Sequence, residues 1–81
     1  KSSSDLNVSI RIILTAHAEK RAAQRLITFS QIKLTLEKPG IVLPAYDDKK
    51  RYQRNFSQRT LEIVAVRKKS IWLVVTLYYL S

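Results

Sequence analysis

The chain has 81 residues, of which 46% are hydrophobic and 26% charged, a composition typical of one small globular domain rather than a disordered or fibrous chain. Fifteen Lys and Arg against six Asp and Glu give a net charge of +9, which favours polyanionic partners: nucleic acid, an acidic protein or an anionic membrane surface. Because there is no cysteine, disulfides and thiolate metal sites are excluded, and we expect a cytoplasmic protein.

The N-terminal part divides into a polar start and a first extended segment. Residues 1–7 are expected to be disordered or flexible, and residues 8–81 to form a single α+β domain. Residues 8–14 alternate and are rich in isoleucine, which predicts a short first strand or an extended lead into a helix.

The first helix is predicted at residues 16–26, with Thr15 as its N-cap. His17, Arg21 and Arg25 follow at a spacing of four, so they lie in one row along one helical face. The neighbouring row, which we expect to face the core, consists of Ala18, Ala22 and Leu26.

The second helix has clear boundaries. Thr28 and Gln31 fit a capping box, and Pro39-Gly40 ends the helix. The side chains expected to face inward from it are Phe29, Ile32 and Leu36, with Leu34 as a further candidate.

Strands are predicted after the helices, at residues 41–46, 51–56, 61–67 and 71–79. Pro44 indicates that the first of these is an edge strand or irregular, and the last two strands read as a hairpin. Strict alternation in the last strand would turn Leu73, Val75 and Leu77 towards the helices, and Trp72, Val74, Thr76 and Tyr78 to the other face. The predicted fold is therefore α+β, with two N-terminal helices packed on one face of a three- to four-stranded antiparallel sheet.

The longest apolar run, residues 71–80, is about half the length needed to span a bilayer, so it is predicted to be a strand. The alanine-rich first helix has few large apolar groups with which to bind a membrane surface, so no membrane partner is predicted.

Several short motifs together resemble the domain-of-unknown-function family 4258. They are TAHAEKR at residues 15–21, RLI at 25–27, Ile32, PG at 39–40 and VTLY at 75–78. Members of that family typically show a T-x-H-A-x-x-R core, a second Arg, a helix ending near Pro, and a terminal strand with Thr and an aromatic. The resemblance covers residues 12–79, and Leu26 stands where the family usually has glycine.

The resemblance implies a fold similar to the RelE, barnase and colicin-type ribonuclease toxins. Many such proteins cleave RNA without a metal, and many have an inhibitor beside them. An acidic antitoxin or immunity protein is therefore an expected partner of this basic chain, together with RNA, and no cofactor or metal is expected.

RNA cleavage without a metal needs a base for the 2′-hydroxyl proton, cations on the phosphate oxygens and an acid for the leaving 5′-oxygen. His17 can move a proton near neutral pH, and Arg21 and Arg25 can bind the phosphate. Because there is one histidine, a second proton-transfer group is required. The candidates are Tyr78, Tyr52, Glu19, Glu62 or a lysine. The predicted catalytic residues are His17, Arg21, Arg25, Thr76 and Tyr78.

The segment at residues 49–56 interleaves cations with aromatics, as expected of a surface that binds a nucleic-acid backbone and stacks bases. The predicted nucleic-acid-binding residues are Lys20, Lys49, Lys50, Arg51, Tyr52, Arg54 and Arg67. The alternative is a charged edge strand that resists aggregation. Three functions stay open: a toxin-like ribonuclease, a non-catalytic nucleic-acid-binding module, and a domain that docks an acidic antitoxin-like partner.

Overall fold

The computed structural model describes residues 11–80, so the predicted flexible segment at residues 1–7 lies outside the described residues. Two helices and five strands follow in the order β1 (Arg11–Leu14), α1 (Ala16–Arg25), α2 (Phe29–Glu37), β2 (Ile41–Pro44), β3 (Lys50–Phe56), β4 (Arg59–Lys68) and β5 (Ile71–Leu80).

The five strands form one mixed sheet in the order β1-β5-β4-β3-β2, in which β1 runs parallel to β5 and the other neighbours are antiparallel. The predicted three- to four-stranded antiparallel sheet is therefore wrong. The isoleucine-rich start of the chain joins the sheet as a parallel edge strand, with Arg11 opposite Ile71 and Leu14 opposite Val74. Strand alternation indicates that a segment is extended but not which distant strand it pairs with.

Helix α1 begins as predicted and ends differently. The Thr15 hydroxyl accepts a hydrogen bond from the Ala18 amide at 3.1 Å, which confirms the N-cap. Leu26 was predicted to close the helix and face the core, but it lies after the last helical residue in the left-handed conformation, with φ 58° and ψ 40°, and is 83% exposed. The following residue, Ile27, packs into the core instead.

Helix α2 has the predicted capping box. The Thr28 hydroxyl accepts from the Gln31 amide at 3.2 Å, and the Gln31 side-chain oxygen accepts from the Thr28 amide at 3.0 Å. Ile32 and Leu36 are buried as predicted, whereas Phe29 is 56% exposed and lies outside the core.

A β-bulge in β5 changes which side chains meet the helices. Val64 pairs with Thr76 and Ala65 pairs with Val74, so Val75 is an extra residue between two regular stretches. The alternation of side chains restarts after the bulge. The prediction of strict alternation is therefore wrong for the first half of β5, where Trp72 and Val74 face the helices instead of the other side of the sheet. The β5 residues in the core are Trp72, Val74 and Leu77.

Both helices contribute to one core cluster on one side of the sheet, which we call the helix face. We call the other side the open face. By cross-strand register it carries Arg51, Gln53, Glu62, Thr76 and Tyr78. Within residues 11–80, no helix is long and apolar enough to cross a membrane.

Candidate functional site

Four polar side chains line a shallow groove of about 260 Å³ on the outer face of α1: His17, Lys20, Arg21 and Gln24. Their spacing of three, four and seven residues from the first places them on one helical face. The opposite face carries Ala18 and Ala22, which are buried against the sheet. Because these side chains are small, the helix backbone lies close to the sheet and its polar face is directed outward. We call this feature the α1 groove.

The α1 groove is strongly cationic. Among residues 11–80, the side-chain hydrogen bonds and salt bridges involve none of His17, Lys20 or Arg21. His17 and Lys20 are exposed and Arg21 is half-buried. A guanidinium binds phosphate oxygens bidentately, an ammonium adds a point charge, and an imidazole transfers a proton near neutral pH. The groove can thus bind a phosphate group and move a proton beside it.

The predicted row of His17, Arg21 and Arg25 lies along α1, but only the first two of these residues line the groove. Arg25 is the last residue of α1 and does not line the groove, whereas Lys20, predicted as a nucleic-acid-binding residue, does. Gln24 was missed by the sequence analysis, although its spacing of three from Arg21 places it on the same face.

Thr76 and Tyr78 do not complete a site with His17. Both lie on the open face as predicted, where Thr76 pairs with Val64 and Tyr78 with Glu62. Helix α1 packs on the helix face, so the sheet separates it from these two hydroxyl groups. The five predicted catalytic residues therefore do not form one site.

Tyr78 belongs instead to a polar cluster on the open face. The Glu62 side chain is 3% exposed and accepts hydrogen bonds from the Gln53 side-chain amide at 2.7 Å and from the Tyr78 hydroxyl. The Arg51 Nε lies 3.9 Å from the same carboxylate. We call Arg51, Gln53, Glu62 and Tyr78 the open-face cluster. The hydrogen bond to Glu62 and burial raise the pKa of Tyr78 above its ordinary value, so its hydroxyl stays protonated.

The predicted basic strand divides between the two faces. Tyr52 is 7% exposed in the core, where its ring meets Trp72 edge-on at a centroid distance of 5.1 Å, so the structure does not present it for stacking on a base. Burial raises the pKa of the Tyr52 hydroxyl. Arg54 donates a hydrogen bond to the Lys38 carbonyl at 2.6 Å and thereby holds the end of α2.

Three further residues predicted to bind nucleic acid are Lys49, Lys50 and Arg67. Lys49 lies over the Tyr46 ring at 4.9 Å, and the Arg67 guanidinium lies over the Trp72 ring at 5.0 Å. Lys50 is exposed at the start of β3.

Within residues 11–80, no group of three or more His, Cys, Asp or Glu side chains is placed to hold a metal ion.

A family model described as "Domain of unknown function (DUF4258)" matches residues 14–79, and the chain belongs to this family. No curated protein and no solved structure matches the chain. The family resemblance is confirmed. The implied likeness to the RelE, barnase and colicin-type toxins is not confirmed, because no solved structure matches the chain.

Proposed function

We propose that this DUF4258 domain is a metal-independent endoribonuclease of toxin type, which binds an RNA phosphate in the α1 groove and cleaves by attack of the 2′-hydroxyl. The observation that supports this most directly is the convergence of His17, Lys20 and Arg21 in one solvent-facing groove. An RNA substrate is consistent with a cytoplasmic location.

The residues of the T-x-H-A-x-x-R motif separate into two roles. Thr15 caps α1, and its hydroxyl also donates to the Val75 carbonyl at 3.0 Å, while Ala18 is fully buried. These two residues hold the helix in place. His17 and Arg21 perform neither task, because they line the groove on the outer face. A structural role thus accounts for Thr15 and Ala18, and binding of a ligand accounts for His17 and Arg21.

The proposed reaction uses three side chains of the groove. The neutral His17 imidazole takes the 2′-hydroxyl proton, the 2′-oxygen bonds to phosphorus, and the bond to the 5′-oxygen breaks. Arg21 stabilises the charge that develops on the non-bridging oxygens. In this proposal Lys20 gives a proton to the leaving 5′-oxygen, and the products are a 2′,3′-cyclic phosphate and a 5′-hydroxyl.

The test is RNA cleavage by the purified chain in EDTA. His17→Ala is expected to slow cleavage by about 10²–10⁴-fold, the usual contribution of a general base. Lys33→Gln on α2 removes a positive charge outside the groove and serves as the matched control for Lys20→Gln. Intact RNA with the unmodified chain, or equal cleavage by His17→Ala, would contradict the catalytic proposal.

A second candidate is a non-catalytic RNA-binding module. The separation of Thr76 and Tyr78 from the α1 groove favours it, because neither hydroxyl can serve as the second proton-transfer group there. This function predicts salt-dependent RNA binding that is unchanged in His17→Ala and weakened in Arg21→Gln.

The exposed edge strand favours a third candidate, the docking of an acidic antitoxin or immunity protein. Ile41, Val42 and Leu43 of β2 are 53%, 46% and 38% exposed on a chain of net charge +9. An acidic extended segment could pair with this edge. Co-purification of a co-expressed acidic neighbour, lost in Val42→Asp, would support this partner.

A further inference from the structure

Glu62 is a buried carboxylate on the open face, the side of the sheet opposite to helices α1 and α2. It lies in the middle of β4, and its side chain is 3% exposed. Burial of a carboxylate is unfavourable unless donors surround it, and a well-packed apolar group of similar size would stabilise a sheet as well or better. Stability alone therefore does not account for this residue.

The neighbouring strands hold the cluster in a fixed arrangement. Gln53, Glu62 and Tyr78 form one cross-strand row, and Arg51, Val64 and Thr76 form the next row. The rows belong to the three inner strands of a five-stranded sheet. Their side chains are positioned by backbone register rather than by a loop, which favours a pre-organised site.

The hydrogen bonds of the cluster determine what a ligand would meet. The Tyr78 hydroxyl gives its proton to Glu62, so its oxygen can accept a hydrogen bond from outside. Arg51 is attracted to the carboxylate at 3.9 Å, which is beyond hydrogen-bond length, and its side chain is 47% exposed. Its guanidinium donors can therefore bind an anion. A matching ligand carries an anionic group and a hydroxyl donor side by side.

A ribonucleotide has this combination, because its 2′-hydroxyl lies next to the 3′-phosphodiester, and DNA lacks the hydroxyl. We propose that the open-face cluster is an RNA subsite in which Arg51 binds a phosphate and the Tyr78 oxygen accepts the ribose 2′-hydroxyl. Glu62 is a positioning residue that orients Tyr78 and Arg51. The subsite lies across the sheet from the α1 groove, so it does not depend on catalysis by His17.

The test compares the affinities of RNA and DNA with identical bases. A fluorescein-labelled (AC)₆ oligonucleotide in its ribo and deoxyribo forms is titrated by anisotropy, with every variant made in a His17→Ala background to prevent cleavage. Tyr78→Phe is expected to weaken RNA binding about five- to tenfold, the contribution of one hydrogen bond, and to leave DNA binding unchanged. Arg51→Gln is expected to weaken both, and more than the matched control Lys33→Gln.

Glu62→Gln tests the positioning role. It is expected to lower the ratio of RNA to DNA affinity without removing binding. Gln53 and Tyr78 donate to different oxygens of the carboxylate, an amide keeps only one of these oxygens as an acceptor, and it has no charge to attract Arg51. A purely structural cluster would give lower melting temperatures in Tyr78→Phe and Glu62→Gln with an unchanged ratio, which would overturn the proposal. The absence of an RNA preference in the parent protein would overturn it as well.

A second measurement avoids any variant. In an NMR titration of the unmodified chain with adenosine 3′-monophosphate, which has a 2′-hydroxyl beside a phosphate and no 5′-ester to cleave, the Gln53 side-chain amide signals are expected to shift. Shifts confined to α1 would contradict the open-face subsite but leave the proposed function intact. Shifts confined to the open face would support the subsite and contradict RNA binding in the α1 groove.

Discussion

Replacement of Leu26 by glycine is expected to stabilise the protein. Leu26 has φ 58° and ψ 40°, a left-handed conformation that a β-carbon disfavours. Its amide hydrogen-bonds to the carbonyls of Ala22 and Ala23, so the conformation is fixed by the end of α1. Glycine adopts this conformation without the steric penalty that a β-carbon incurs, so the backbone geometry favours glycine at this position.

The size of the effect follows from three terms. A side chain in this conformation costs about 1–2 kcal/mol, whereas glycine loses more chain entropy on folding, by about 0.5–1 kcal/mol. Leu26 is 83% exposed, so its removal gives up little buried area. The net gain is about 0.5–1 kcal/mol, which corresponds to a rise in melting temperature of about 2–8 °C for a domain of this size.

Thermal unfolding followed by circular dichroism measures this gain. Ala23→Gly is the matched control, because it adds a glycine at an exposed position inside the same helix and should cost about 1 kcal/mol. The two glycines are thus expected to shift the melting temperature in opposite directions. A lower or unchanged melting temperature in Leu26→Gly, alongside the expected loss in Ala23→Gly, would refute the reasoning.

Further predictions concern caps, salt and pH. Thr15→Ala should lower the free energy of unfolding, measured in urea, by about 2 kcal/mol, because it removes both a helix cap and a hydrogen bond to β5. Thr28→Ala removes a cap alone and should lower it by about 1 kcal/mol. Equal losses in the two variants would disprove the contribution of the hydrogen bond to β5. Arg21→Gln should reduce the slope of log affinity for RNA against log salt by about 0.7, and Lys33→Gln should leave it unaltered. The hydrogen bond from Tyr78 to Glu62 raises the pKa of Tyr78 above 10.0 in the folded protein. The unfolded chain therefore loses the Tyr78 hydroxyl proton at a lower pH than the folded protein does, and the free energy of unfolding should fall as the pH rises past 10.0. A Tyr78→Phe variant that loses stability as steeply at alkaline pH would exclude this linkage.

Local features of the fold were predictable from the sequence. The N-caps Thr15 and Thr28 and the final hairpin depend on a few neighbouring residues, and each is confirmed. The parallel pairing of β1 with β5 was not predictable, because it joins segments at opposite ends of the chain. The bulge at Val75 was also missed, since an apolar strand gives no sign of where its alternation restarts.

The candidate sites follow the same division. The α1 groove lies within one helix, so the helical period alone brings His17 and Arg21 together. The open-face cluster depends on the register of three strands, and the sequence left Glu62 as one of several candidates for a second proton-transfer group. Tyr52 lies among cations in the sequence, a pattern that predicted an exposed side chain, but in β3 its side chain faces the core.

The bulge in β5 connects the two candidate sites. The Thr15 amide donates to the Val74 carbonyl at 3.1 Å and the Thr15 hydroxyl donates to the Val75 carbonyl at 3.0 Å, so the bulge holds the start of α1 and thereby positions the groove. The same extra residue sets the alternation that places Tyr78 on the open face. A rearrangement of the bulge would therefore disturb both sites together, whereas a substitution within the groove or the cluster affects one of them. A variant that loses both activities is therefore expected to have a disturbed fold, whereas a variant that loses one of them is expected to have a changed site.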